Sequence, residues 1–428
     1  MKKTLLFIIV VGISHFSFSQ SAVNKTLKEV SPEAAGFSAE RLARIDKLLQ
    51  EYADKKWIGG ASAIVVHNGS IVYYKGIGYD DIETKKAEKR DAIFRIASQT
   101  KAITSVAVMM LYEQGKFLLD DPISAYIPEF KNPKVLDKFN EADTTYTTVP
   151  AKREITIRDL LTHTSGIAYA QIGSKESNAI YYKNGIIGGI GVDKVLLADK
   201  MKKLGSMPLF HQPGEKWTYG LNTDLLGYLV EVVSGMSLAD FFAKNIFEPL
   251  GMKDTYFYLP KEKYSRLATL YAEDSTKHVK KMAEYIDING KMYRDYPAMA
   301  GTYYSGGGGL SSTAYDYAVF MQMLLNGGEY NGHRILSRIS IQLMTQNQIG
   351  DLSLGDNKFG LGFGIVTEKG AGKTPASIGT FDWGGMFSSS YWIDPKEKIT
   401  AQLFLNQLPN SHGEIHNKFK ALVYQALE

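Results

Sequence analysis

Cysteine is absent from all 428 residues. With it go disulfide scaffolds, thiolate nucleophiles, cysteine-ligated zinc and a lipidated N-terminal cysteine. The eight histidines form no H-E-x-x-H and no comparable ligand spacing, so neither a metal nor an organic cofactor is expected. Charge of one sign is scarce as well. The formal net charge is only +4, and no stripe of lysine and arginine interleaved with aromatics marks a nucleic-acid partner. No segment repeats at a fixed period and none is low in complexity. Gly-x-Ser-x-Gly does not occur, which counts against an α/β-hydrolase.

What is present is a globular composition, 44% hydrophobic and 22% charged, on a chain long enough to bury a large core. It opens with "MKKTLLFIIVVGISHFSFSQ": Lys2 and Lys3, an apolar run from Leu5 to Val11, then small residues at Ser17 and Ser19. This order is that of a secretory signal peptide covering 1–19. The apolar run is too short to span a bilayer, so no stable membrane anchor is expected. Export to the periplasm or beyond the cell follows, and loss of Lys2 and Lys3 takes the charge from +4 to +2. Residues 20–35 read as a polar lead-in, and 36–428 as the folded domain.

Within that domain, Leu42, Ile45, Leu48 and Leu49 recur at helical spacing. Two β-branched runs follow around the turn His67-Asn68-Gly69. After Ser98 a helix is expected to about Gly115, with Ala102, Val106, Met109 and Met110 on one face. Helical patterns and polar loops fill the middle, the longest loops near 131–153 and 272–296. Strands return with "KFGLGFGIVTEKG" and with "YWIDPKEKITAQLFLNQ", the latter folded around Asp394-Pro395-Lys396, and a terminal helix closes the chain. Strands at both ends with helices between them predict an α+β fold. One sheet lobe (about 36–95 and 300–428) would face a helical lobe (about 96–299), with a cleft between them.

The stretch "FRIASQTKAIT" (94–104) carries the chemistry. On a helix, Ser98 and Lys101 lie three residues apart on one face, so hydroxyl and amine can meet. A serine hydroxyl becomes a good nucleophile only when a neighbour takes its proton. A lysine side chain can do so once its pKa is brought down from about 10.4 toward neutrality. The helix N-terminus adds free N–H groups that stabilise developing negative charge. Taken alone, the same spacing also describes a serine cap followed by a solvent-facing lysine.

The surroundings of the pair resemble the serine β-lactamase and penicillin-binding-protein superfamily, in particular its class C-like and esterase branch. The block "FRIASQTKAITSVAVMMLYEQGKFLLDDPISAYIPEF" is similar to that family's nucleophile region. "ITIRDLLTHTSGI" (155–167), "IFEPLGMKDTYF" (246–257) and "SGGGGLSSTAYDYAVFMQMLLNGG" (305–328) resemble three further family blocks in the family's order. The resemblance runs from about residue 36 to the C-terminus. It implies the β-lactamase/DD-peptidase-like fold, an antiparallel sheet flanked by helices with an inserted all-helical lobe. It also implies Ser98 as the acylated nucleophile and Lys101 as its partner.

By the same resemblance, Tyr219 in "KWTYGLN" takes the place of the family's catalytic tyrosine, as a phenol that relays a proton to the leaving group. Asn222 comes one residue late for Tyr-x-Asn, which puts an asparagine role in doubt. Lys373-Thr374-Pro375 is a near-match to the family's Lys-Thr-Gly, but proline lacks the N–H a strand needs. Trp383-Gly384-Gly385 fits better and resembles the Trp-Gly-Gly of family VIII-type esterases. The N–H groups of Ser98 and Met386 would then form the oxyanion hole. Trp383 and Gly384 supply neither a cation nor a hydroxyl, so an anionic β-lactam or peptide terminus would lose its anchor while a neutral acyl or alkyl group gains an aromatic face.

The function this points to is a secreted serine hydrolase that cleaves carboxylic esters, with a small ester or acyl compound as its only expected partner. A β-lactamase or D-amino-acid peptidase is the first alternative, and a non-catalytic binder of cell-wall fragments the second. Arg95 and Thr100 flank the nucleophile and are explained as well by packing. His163, at a helix end, reads as structural. The glycines of 305–309 and 359–364 read as close-packed backbone near the cleft.

Overall fold

The computed structural model describes residues 26–428 except 192–193 and 288–289. The signal-peptide reading falls outside these residues. Helix α1 (Ala39–Asp54) is started by Ser38, whose hydroxyl accepts from the Arg41 N–H. Strands β1 (Gly60–His67) and β2 (Ser70–Asp81) form the expected hairpin. Asn68 and Gly69 between them have φ of 50° and 77°, the pair of positive angles that a two-residue turn requires. After α2 (Thr100–Glu113), α3 (Asn222–Ser234) and α4 (Ala314–Leu325) come β3 (Phe381–Gly385), β4 (Ser389–Asp394), β5 (Ile399–Phe404) and α5 (Ile415–Tyr424). Asp394 accepts from the N–H groups of Lys396 and Glu397, which fixes the β4–β5 turn.

The chain's two ends meet in one sheet. Its order is Lys28–Glu29, β2, β1, β5, β4, β3, Gly364–Ile365, Lys358–Phe359, with Lys86–Ala87 also paired to β2. All pairings are antiparallel except that of Lys28–Glu29 with β2, so the sheet is mixed rather than wholly antiparallel. Both faces are covered. Alternate residues of β1 and β5, such as Val65 and Leu403, pack with α1 and α5. Ile64, Val66 and Phe404 pack on the other side with α2 and α4. Burial on both faces is why "ASAIVV" reads as a continuous apolar run.

Helix α2 is more enclosed than an amphipathic pattern predicts: all but Met110, Tyr112 and Glu113 are buried. It lies against α3 inside the main core, so polar Thr100, Lys101 and Thr104 are buried with it. Two expected long loops are instead ribbons. Lys134–Phe139 pairs with Tyr146–Pro150, and 271–293 holds two three-residue hairpins. Alternation in these segments is masked by charged and threonine side chains on exposed faces. Part of the expected lead-in belongs to the fold: Lys28–Glu29 adds to the sheet edge, and the Leu27 N–H donates to the Tyr330 hydroxyl.

Candidate active site

The turn Ala97–Gln99 carries the chain from the short strand Phe94–Arg95 into α2. Ala97 has φ of 43°, in the left-handed region, and this sharp corner leaves Ser98 at the mouth of the cleft between sheet and helices. One turn on, Lys101 is only 2% exposed. Its Nζ donates to Ser98 Oγ at 3.2 Å, to the Tyr169 hydroxyl at 2.9 Å and to the Gly307 carbonyl at 2.5 Å. The i, i+3 spacing therefore does bring hydroxyl and amine together.

The carbonyl under Lys101 comes from the run Gly306–Gly309, which threads between α2 and α3. A Cβ at 306 would lie 2.6 Å from the Thr223 carbonyl oxygen, and one at 307 would lie 2.2 Å from Asp224 Oδ2. The Gly306 carbonyl also accepts from Thr104. Only backbone without side chains fits here, which accounts for "SGGGG" without any phosphate. Asp224, buried on α3, accepts from Ser305 Oγ at 2.6 Å and so tethers the start of this loop. Burial raises the Asp224 pKa, opposed by the Ser305 hydrogen bond and by the charge of Lys101.

Tyr219 is present in the cleft, but its ring rather than its hydroxyl faces Lys101, with Nζ 4.7 Å from the ring centroid. Its hydroxyl accepts from Trp383 Nε1 at 3.3 Å. The phenol bonded directly to Lys101 is that of Tyr169, which the sequence reading missed. Nothing local singles it out among 26 tyrosines. Burial and the neighbouring Tyr219 and Asp224 hold Tyr169 well above the usual tyrosine range, so its hydroxyl keeps its proton. Tyr219 belongs to an aromatic wall with Trp217, Phe359 and Trp383, whose ring centroids lie 5.6–6.4 Å from one another wherever Trp217 or Tyr219 meets Trp383.

His163 and Asn222 have structural places. His163 is 1% exposed and takes a hydrogen bond from Asn222 Nδ2 at 2.9 Å, while its ring packs 4.9 Å from that of Tyr219. Burial and the charge of Lys101 push its pKa well below 6.5, so it stays neutral behind the wall. Asn222 also accepts from Ser165 Oγ, bracketing the turn before Tyr169. Arg95 lies behind Ser98 and donates to the carbonyls of Ala268, Arg294 and Tyr296. The Thr100 hydroxyl accepts from the Leu310 N–H.

Trp383-Gly384-Gly385 ends β3, and these residues with Met386 line the cleft that holds Ser98, a space of about 730 Å³. Gly385 is pressed to the turn that carries Ser98: a Cβ there would lie 2.4 Å from the Ile96 carbonyl oxygen. Lys373-Thr374-Pro375, by contrast, is a surface segment after the short helix Glu368–Ala371, where Lys373 pairs with Asp356. A larger groove of about 900 Å³ lies elsewhere, between Phe247, Tyr256 and Tyr304, and includes none of Ser98, Lys101 or Tyr219. The smaller cleft is the candidate site because Ser98, hydrogen-bonded to the buried Lys101, opens into it. Among the described residues, no group of three or more His, Asp or Glu side chains is placed to hold a metal ion.

A family model described as Beta-lactamase matches residues 45–425. The chain belongs to the β-lactamase family. More finely, it sits in the esterase branch of the serine β-lactamase/penicillin-binding superfamily, and it is a serine hydrolase. Protein Rv1367c of Mycobacterium tuberculosis is 33% identical over 85% of this chain and 89% of its own length. Esterase EstB of Burkholderia gladioli is 29% identical over 89% of this chain and 94% of its own. Among solved structures, EstCE1, a hydrolase with promiscuous acyltransferase activity, superposes with a TM-score of 0.76 at 27% identity, covering 90% of this chain and 99% of its own.

Proposed function

We propose that this family member is an exported carboxylesterase that works through an acyl-Ser98 intermediate. The observation that carries the reading is the contact of Ser98 Oγ with the buried Lys101 amine, 3.2 Å apart at the mouth of a cleft walled by Trp383. Lys101 in its uncharged form takes the Ser98 proton as Oγ bonds to the ester carbonyl carbon. The oxygen that becomes negative lies between the N–H groups of Ser98 and Met386, donors of a kind that each contribute about 3 kcal/mol to a transition state. Collapse breaks the bond to the alcohol oxygen, which takes a proton from the Tyr219 hydroxyl. The proton held by Lys101 returns to Tyr219 by way of a water in the cleft, since the Tyr219 ring and not its hydroxyl faces the amine, and a second water then releases the acid and restores Ser98.

The substrate class follows from what the cleft offers. The cation that lines it, Lys420, is engaged by Asp382 at 3.5 Å, and Trp383 presents an aromatic face. A neutral ester suits these walls better than a carboxylate-bearing β-lactam or peptide. The esterase names of EstB and EstCE1 support the same choice, and the leader from Lys2 to Ser19 supports export.

The test is hydrolysis of p-nitrophenyl acetate and butyrate by the wild type and Ser98→Ala, with a chromogenic cephalosporin in parallel. The expected loss in kcat for Ser98→Ala is about 10⁴-fold or more. Cephalosporin turnover exceeding ester turnover would overturn the substrate class, and full activity in Ser98→Ala would overturn the mechanism.

A further inference from the structure

The cleft does not stop at the nucleophile. Alternation along β3 and β4 sends Trp383 and Tyr391 toward the Ser98 face, and Asp382, Ser390 and Trp392 toward α5. Gly384, paired with Ser390, has no side chain to separate the two sides at the end of β3. One continuous space therefore runs from Ser98 across the glycines to the first turns of α5. Its far half is lined by Ser388, Ser390, Asn410, His416, Asn417 and Lys420.

That half is polar, ordered and without unbalanced charge. His416 bridges two hydroxyls, with Nδ1 2.8 Å from Ser390 Oγ and Nε2 3.0 Å from Ser388 Oγ. Ser388 Oγ also accepts from Asn410 Nδ2 at 2.7 Å. Burial and the nearby Lys420 push the His416 pKa down to about 4, so the imidazole is neutral at physiological pH. Lys420 itself faces Asp382 and lies over the Trp392 ring at 4.9 Å. An alkyl chain laid on this surface would strip water from hydroxyl, amide and imidazole groups and return nothing. An anion would find its one cation already paired. A neutral group bearing several hydroxyls can both donate to and accept from such an array.

The near half has the opposite character, with Ile172, Met386 and Trp383 around Ser98. An acyl chain held there places the alcohol part of the ester across the glycines. We propose that the groove along α5 is the alcohol-side subsite, and that it takes a neutral sugar or polyol, so that the enzyme removes short acyl groups from hydroxyl-rich compounds. This inference rests on the carboxylesterase reading and names its substrate class.

The experiment compares kcat/KM on 6-O-acetylglucose with that on ethyl acetate for the wild type, Ser390→Ala and Asn417→Ala. The sugar ester is expected to be favoured by about tenfold or more, and each variant to cut that ratio several-fold. A ratio near one that neither variant moves would overturn the subsite while leaving the esterase intact. A preference for methyl gluconate over methyl acetate, with none for the acetylated sugar, would overturn the alcohol-side assignment. If neither ester is turned over, the esterase reading itself fails. Saturation-transfer NMR of glucose with the Ser98→Ala protein then decides the subsite separately: binding that Ser390→Ala abolishes upholds it, and no binding overturns it.

Discussion

Lys101 and Arg95 are basic side chains six residues apart on either side of one serine, 2% and 3% exposed. Behind the nucleophile, Arg95 spends its donors on three main-chain carbonyls, those of Ala268, Arg294 and Tyr296. Burial brings its pKa down to about 9, which still leaves it charged at neutral pH. In front, Lys101 has one carbonyl, one phenol and the serine hydroxyl that opens to the cleft. Burial alone therefore does not make a basic side chain chemical. The difference lies in the partners: carbonyls can only accept and never change, whereas a hydroxyl can give its proton away. One basic side chain ties three segments together, and the other waits beside a group that can react.

That contrast breaks if the two substitutions behave alike. Lys101→Met is expected to lower kcat on p-nitrophenyl acetate by about 10³–10⁴-fold, the scale of a lost general base. Its urea midpoint should shift far less than its rate. Arg95→Met should do the reverse. Three buried carbonyls lose their donor, a cost of about 3 kcal/mol or more in urea unfolding, while the molecules that remain folded turn over within about threefold of the wild type. Comparable losses of rate in both would mean that Arg95 acts on the site, and the division drawn here would fall.

The two phenols sharpen it further. Tyr169 donates position, because its hydroxyl accepts from Lys101 and keeps its own proton. Tyr219 offers a hydroxyl to the cleft and a ring face to the amine. Tyr219→Phe is expected to lower kcat by about 10²–10³-fold, as removal of a proton donor does. Tyr169→Phe should cost about tenfold, the loss of one hydrogen bond to a group that other partners still hold. Single-turnover acylation measurements on both variants check the order, and a larger loss in Tyr169→Phe would exchange their roles.

What the sequence shows of this site is what lies close together along the chain. Ser98 and Lys101 are three residues apart, the Asn68-Gly69 turn is self-contained, and Trp383-Gly384-Gly385 is contiguous. Tyr169 meets Lys101 across 68 residues and Gly307 meets it across 206, and no spacing encodes such contacts. The groove along α5 was illegible because His416 and Lys420 stand on what reads as a plain packing helix. Only the packing of α5 on Ser390 and Asp382 turns them toward the cleft. The ribbons at 134–150 and 271–293 were lost to composition, since one or two buried apolar residues per short strand, such as Val135, Val279 and Met292, are outnumbered by charged and threonine neighbours.

The smallest expected effect separates a motif from its position. Lys373-Thr374 matches the family's third element by letters, and Trp383-Gly384 matches it by place. The Lys373 side chain is 68% exposed, paired with Asp356 outside the cleft. Substituting it removes one screened surface pair, a contact of a kind that contributes little to stability. Lys373→Ala should leave ester turnover and the unfolding midpoint within experimental scatter. Gly385→Ala, ten residues from Pro375 in sequence, should lower turnover, because its new Cβ meets the Ile96 carbonyl and pushes β3 off the nucleophile turn. A loss of turnover in Lys373→Ala would place the third catalytic element at the letters and not at the strand, and Trp383 would lose its claim on the substrate.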